Sequence, residues 1–222
     1  MPVNSVNSNI AFWNRTANIY TALQENKNKI LYDKLCNRIS KYFNKNTRVL
    51  ELACGTGQIT SRLCGKVMSW EATDFSVKMV AVTGKRFKNS NVNCRVEDAT
   101  NLTYDNSLFD VVIIANALHI MPNPDKALKE IYRVLKPNGF LIAPTFVYDG
   151  YVNKFKVSML EKAGFKTFHK WKAIEYENFV EQRNFRIVES YIIRDNFLPE
   201  CVLICRKAGG QRPQDIREDS LL

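Results

Sequence analysis

The residues best placed to do chemistry lie between Val49 and Thr60, in VLELACGTGQIT, where an apolar run ends in Glu51 and passes into Gly55-Thr56-Gly57. Glycine adopts backbone angles that let a chain turn tightly and approach a ligand, and the first turn of a following helix offers N–H groups without partners of their own. Strand, glycine loop and helix in that order make a cradle for a polar ligand. Dinucleotide sites share the pattern, but the third glycine of G-x-G-x-x-G would fall at Thr60, so that phosphate fingerprint is incomplete. A P-loop is excluded because no Gly-Lys-Ser/Thr follows. Two carboxylates come next, Asp74 in WEATDFS and Asp98 in CRVEDATNL, at positions where aspartate also serves as a turn or cap residue.

The elements that must hold these residues alternate. Short apolar or β-branched runs at Arg48–Leu52, Val67–Thr73, Val92–Val96, Phe109–Ala115 and Phe140–Phe146 read as strands, with helical stretches near 58–64, 76–87 and 124–135 between them. Such alternation predicts a parallel sheet covered by helices on both faces. Asn138-Gly139 reads as a turn before the fifth strand. Residues 10–43 carry apolar side chains at mostly helical spacing (Ile30, Leu31, Leu35, Ile39, Phe43), which predicts two helices ahead of the first strand. A helix near 174–182 precedes two last runs, Phe185–Arg194 and Glu200–Lys207. Only Asp195 to Pro199 join these, too few residues for a parallel crossover, so they are expected to pair antiparallel.

With 222 residues and 45% hydrophobic content, about 100 side chains can enter a core, enough for one domain. The longest apolar run, Val111 to Met121, contains Asn116 and His119 and falls short of the roughly 20 residues a membrane span requires. The start, MPVNSVNSNIAFW, lacks the basic and apolar regions of a secretory signal, and a cytoplasmic protein is expected. The six cysteines show no metal spacing and no paired framework. Net charge is +10 and uneven: residues 1–100 hold 15 Lys and Arg against 7 Asp and Glu, whereas residues 101–222 hold 17 against 15. Such a basic surface attracts nucleic acid, anionic lipid or acidic small molecules, and charge alone does not choose among them.

In order along the chain, the glycine loop, Asp74, Asp98 and the block FDVVIIANALHIMPNPDKALKEIYRVLKPNGFLI resemble the class I S-adenosylmethionine-dependent methyltransferases, in particular their small-molecule branch of ubiquinone/menaquinone type. The resemblance covers roughly residues 47–146 and implies a seven-stranded, mostly parallel Rossmann-like sheet. Its last strand runs antiparallel, tucked between the strands near 140–146 and 185–194. It further implies that Glu51, Ala53, Gly55 and Gly57 shape the pocket for the methionine half of S-adenosylmethionine. Asp74 accepts from the ribose hydroxyls, a carboxylate being able to take two bonds from a cis-diol. Phe75 and Met79 wall the adenine, Asp98 and the Ala99 N–H address its edge, Asn116 and Ala117 lie beneath the sulfonium, and His119 is a candidate base. Tyr20, after Phe12-Trp13 and Ala17, is implied as a lid or cofactor contact.

Acceptor classes are narrowed by what is missing. Exocyclic-amide methyltransferases place Asn/Asp-Pro-Pro-Tyr/Phe where this chain has Asn116-Ala117-Leu118-His119, and cytosine C5 enzymes use a Pro-Cys that is absent here. Asn123 and Asp125 sit beside prolines in a loop, and no metal is expected. The expected partner is a small-molecule methyl acceptor, anionic, aromatic or lipid-like, with no nucleic acid, with peripheral contact to an anionic membrane left open, and with a monomer or homodimer as the assembly. An RNA methyltransferase or a cofactor-binding protein without turnover is the alternative. Val147 to Lys172 interleaves six lysines and six aromatics with two acids and is expected to be the substrate cap. One domain of 1–222 thus divides into a helical lid (10–43), a cofactor core (47–146), the cap (147–172), a helix with a hairpin (173–207) and a flexible tail (208–222).

Overall fold

The computed structural model describes residues 9, 11–17, 28–149, 158–159, 162, 166–194 and 198–209. Tyr20, most of the expected cap, the centre of the last hairpin connection and the tail from 210 lie outside the described residues. Helix α1 (residues 11–17) and helix α2 (Lys29–Ile39) precede strand β1 (Arg48–Leu52). There follow α3 (Thr60–Leu63), β2 (Ser69–Asp74), α4 (Val77–Arg86), β3 (Val92–Val96), β4 (Phe109–Ile114), α5 (Pro124–Val134), β5 (Leu135–Phe146), α6 (Ala173–Glu181), β6 (Phe185–Ile193) and β7 (Glu200–Lys207).

The strands form one sheet in the order β3-β2-β1-β4-β5-β7-β6. The first five are parallel, with Glu51 beside Ala72 and Ile113, while β7 runs antiparallel between β5 and β6, Ile142 opposite Ile204. The expected topology is therefore the observed one. Its consequence is that β7 begins, rather than ends, at the sheet edge where β1 to β5 end, so Glu200 is delivered beside Phe146.

Both sheet faces are covered, which explains why the central strands read as continuous apolar runs. Val111 and Ile113 of β4 pack with Leu35 and Ile39 of α2, and their neighbours Val112 and Ile114 pack with Leu128 and Ile131 of α5 on the other side. Helix α5 starts at Pro124, whose missing N–H costs nothing in the first turn, and buries Ala127, Leu128, Ile131 and Val134 at helical spacing.

Two boundaries differ from expectation. The helix expected over 58–64 holds only Thr60–Leu63 before tightening into a 3-10 turn at Cys64–Lys66, so β2 starts at Ser69 rather than Val67. Strand β5 starts directly after α5, and the expected Asn138-Gly139 turn is a bulge inside it: Asn138 has φ 61, and pairing jumps from Phe109–Leu135 to Val111–Phe140. Glycine suits this position, because a Cβ at Gly139 would stand 3.0 Å from the Lys136 carbonyl and 3.1 Å from that of Asp110, tighter than ordinary contact.

Candidate active site

The sheet order reverses direction beside β1, and that switch point is where open α/β sheets leave a crevice at the carboxyl ends of their strands. A cavity of about 380 Å3 opens there. Of the residues expected from the sequence, Glu51, Ala53, Gly55, Asp74, Phe75, Met79, Asp98, Ala99, Asn116 and Ala117 line it, joined by Asn9, Trp13, Tyr32, Ile120, Met121, Pro122 and Phe168.

The loop after β1 is held from both sides. Ala53 has φ 53 and Gly55 φ 56, and Gly55 donates its N–H to Asp74 Oδ2 at 3.0 Å while its carbonyl accepts from Thr83 Oγ1 at 2.9 Å. An alanine in the left-handed region costs on the order of 1 kcal/mol, which the surrounding ladder must outweigh. Gly57 does not line the cavity. At φ 81, a Cβ there would meet Phe87 Cε2 at 2.8 Å, so this glycine lets the end of α4 approach the loop.

Asp74 closes β2. Its Oδ2 accepts from Gly55 N and its Oδ1 from Ser76 N at 2.8 Å, while Ser76 caps α4 by accepting from Met79 N. Enclosure in the cavity wall pushes the Asp74 carboxyl up to about 6, against the two amide bonds that favour its charge. Glu51 is 2% exposed. Burial pushes it up to about 7, opposed by hydrogen bonds from Thr60 Oγ1 and Trp70 Nε1, with the Asp74 charge adding to the rise. Asp98 is exposed, and its Oδ1 accepts from Thr100 N and Oγ1, both at 2.8 Å. Phe75 is half exposed at the rim, and Met79 is buried in the wall.

His119 is placed elsewhere. It is 3% exposed and does not line the cavity, and its Nδ1 lies 2.9 Å from Thr145 Oγ1. Burial, with His169 nearby, pushes it down to about 3, so the ring is neutral. The His119 carbonyl accepts from Phe168 N and His169 N, which brings Phe168 to the cavity.

The covering side joins three segments. Asn9 donates to Ile120 O (3.3 Å) and Lys166 O (3.1 Å) and accepts from Lys166 N (2.8 Å), and Asn14 accepts from Ser76 Oγ (2.6 Å). Of the cap aromatics, Phe168 lines the cavity, whereas Trp171 turns away to stack on His169 and pack against Phe179. Sequence reasoning missed Asn9, Ser76 and Glu200. Ser76 carried a visible signal as an N-cap ahead of VKMV, and Glu200 one as an acid opening the apolar run CVLIC. Asn9, in an asparagine-rich start, carried none. Among the described residues, no group of three His, Cys, Asp or Glu is placed to hold a metal ion.

A family model described as a methyltransferase domain matches residues 50–143. Over those residues the chain is similar to methyltransferase domains. Its similarity runs to demethylmenaquinone methyltransferase of Lactobacillus johnsonii, 36% identical over 129 residues (49% of this chain, 53% of that protein). It also runs to the ubiquinone/menaquinone biosynthesis C-methyltransferase UbiE of Hydrogenovibrio crunogenus, 41% identical over 105 residues (44% and 41%). The chain thus spans about half the length of the curated relatives it matches. In fold it is similar to a chain in the complex of the Haloferax volcanii Trm112 methyltransferase activator with a methyltransferase, with TM-score 0.75, 15% identity, and coverage of 89% of this chain and 98% of that one.

Proposed function

We propose that this chain transfers the methyl group of S-adenosylmethionine to a small aromatic acceptor of the quinone type. The observation that carries the reading is Asp74: each of its carboxylate oxygens already takes one backbone amide, which fixes the group at the mouth of the glycine loop, and each keeps a lone pair for one hydroxyl of a cis-diol. Glu51 would meet the ammonium of the methionine half and the Gly55 loop its carboxylate. Phe75 and Met79 would wall the adenine, with Asp98 Oδ2 and the Ala99 N–H at its edge, and Asn116 and Ala117 would lie under the reacting sulfur.

When bound, S-adenosylmethionine supplies an electrophilic methyl on a sulfonium whose departure leaves a neutral thioether. The residues of the chain supply proximity and alignment. Ile120, Met121, Pro122 and Phe168 give the cavity an apolar wall on the side of the β4 loop, suited to an aromatic ring. The demethylmenaquinone and ubiquinone/menaquinone names of the relatives support that class. His119 contributes by holding Phe168 and His169 through its carbonyl, and a cap built from 147–172 would complete the acceptor side.

Asp74→Ala should weaken binding of S-adenosylmethionine and S-adenosylhomocysteine alike, at least about tenfold at roughly 1 to 3 kcal/mol per charge-assisted bond. Calorimetry checks this, and unchanged affinity would overturn the cofactor site. The acceptor is tested by a panel of quinols, catechols, thiols and tRNA, following S-adenosylhomocysteine production. Turnover on tRNA in place of quinols would overturn the substrate class.

A further inference from the structure

Gln58 follows the glycine loop, lines the cavity and is 4% exposed, yet no step described so far uses it. Its backbone is pinned, because its carbonyl accepts from Ser61 Oγ at 2.9 Å and from Arg62 Nη1 at 2.8 Å. Its side-chain amide has one partner among the described residues, the hydroxyl of fully buried Thr56, whose Oγ1 lies 2.8 Å from Nε2 and 3.1 Å from Oε1. An amide brings two N–H donors and an oxygen with two lone pairs, and a single hydroxyl oxygen at that distance takes one of those donors. The second N–H of a buried amide in the cavity wall is left without an acceptor among the described residues, whereas buried donors are ordinarily paired. The amide sits at the Glu51 end of the cavity: Thr60, two residues on, donates its hydroxyl to Glu51 Oε2, and Gly57 N bonds to Cys54 O at 3.0 Å, which folds the turn back against the end of β1.

We infer that Gln58 is a binding residue for a carboxylate at this end of the cavity, donating from Nε2 to the carboxylate of the methionine half of S-adenosylmethionine. The inference rests on the reading above, which sets that half between Glu51 and the Gly55 loop. A carboxylate only accepts, and a neutral amide gives it a charge-assisted bond without placing a further ion in the wall. Thr56, by taking one donor, leaves the other for the ligand. Gln58 thus reads a single feature of the ligand. Decarboxylated S-adenosylmethionine keeps the adenosine, the sulfonium and the amine and lacks only that carboxylate, so Gln58 makes the site prefer the amino-acid form, with no preference between S-adenosylmethionine and S-adenosylhomocysteine.

The parent chain should bind S-adenosylmethionine at least about tenfold more tightly than its decarboxylated analogue in calorimetry, and equal binding overturns the inference without any variant. Gln58→Leu keeps a similar volume and removes both donors. In the full chain it should lower the affinities for S-adenosylmethionine and S-adenosylhomocysteine about tenfold each, the scale of a bond to a charged group, with the decarboxylated analogue within about twofold of the parent. A residue that only supports the loop moves all three ligands together, so equal weakening, or no weakening, overturns the inference. Should Gln58→Leu fail to fold, Gln58→Glu is measured instead: it keeps an oxygen for the Thr56 hydroxyl and removes both N–H donors, and it should weaken S-adenosylmethionine at least about tenfold while the decarboxylated analogue binds no more weakly than to the parent. Asp74→Ala measured alongside separates the two failures. If it leaves the affinities intact, the cofactor site itself is misplaced; if it weakens all three ligands while Gln58→Leu leaves their ratios alone, only the role of Gln58 falls.

Discussion

The floor and the cover of the cavity are built on different principles. The floor consists of strand ends tied by main-chain bonds, Cys54 N to Thr73 O (2.9 Å), Glu97 N to Asp74 O (3.2 Å) and Asn116 N to Pro144 O, and by the bond from Gly55 N to the Asp74 carboxylate. The main-chain bonds extend the strand ladders, so the residues they join do not move without disturbing the sheet. The cover is tied mainly by asparagine side chains and one loop carbonyl: Asn9 to Ile120 and Lys166, Asn14 to Ser76, and His119 O to residues 168 and 169. A few local bonds can break without cost to the sheet. The floor is thus suited to holding the cofactor in one geometry, and the cover to admitting and releasing ligands.

The largest effect that tests this difference is expected at Glu51. Replacement by Ala leaves the Trp70 indole N–H and the Thr60 hydroxyl buried without their acceptor, at roughly 1 to 3 kcal/mol each. Glu51→Ala should lower unfolding free energy by about 2 to 5 kcal/mol in urea denaturation. Glu51→Gln, which keeps an acceptor oxygen, should lose less than half as much. Equal losses would show that the floor depends on the charge of Glu51 and not on its hydrogen bonds.

The pH response follows from the same residue. In the folded chain Glu51 holds its proton up to about 7 instead of 4.5, chiefly through burial. Between those values the native state binds more protons than the unfolded one, so stability falls as pH rises through that window. Asp74, raised to about 6, acts in the same direction. Ligand binding runs the opposite way, because an ammonium beside Glu51 favours the carboxylate. Affinity for S-adenosylmethionine should rise about tenfold from pH 6 to 8 with proton release, detected by calorimetry in buffers of different ionisation enthalpy. A flat profile would remove Glu51 as the ammonium partner.

Much of the floor was legible in the sequence because its requirements are local. Glycine at positive φ in Gly55 and Gly57, an acid closing a strand at Asp74, and apolar runs long enough to be buried on both faces each leave a mark on residue type. Spacing alone does not separate a glycine that meets a ligand from one that lets a side chain approach, as Gly57 does for Phe87. His119 is similar: its position after β4 is readable, but the side of the turn its ring takes depends on Thr145, on another strand. Asn9 and Glu200 find partners more than 80 residues away, Lys166 and Asn116, a link no local pattern encodes.

On the cover, Asn9→Ala removes three bonds that join the N-terminal segment to Ile120 and Lys166. The floor is untouched, so equilibrium affinity for S-adenosylhomocysteine should change less than about threefold. Its dissociation should accelerate about fivefold by stopped flow, since a less secured cover opens more often. A change confined to equilibrium affinity would assign Asn9 to the floor.

The smallest effect is expected from the exposed lysines on the cover. Lys166 offers its backbone to Asn9, and the Lys170 ammonium lies 5.7 Å from the centre of the Tyr148 ring. Both side chains are exposed, so their charges are screened and act on ligand approach more than on folding. Lys166→Gln with Lys170→Gln should raise the KM of an anionic acceptor less than about threefold and flatten its dependence on salt, with kcat and unfolding free energy unchanged. An equal rise for a neutral acceptor would show that these side chains contribute shape and not charge. A loss of S-adenosylmethionine affinity with acceptor kinetics intact would instead place residues 166–170 among the elements that close on the cofactor.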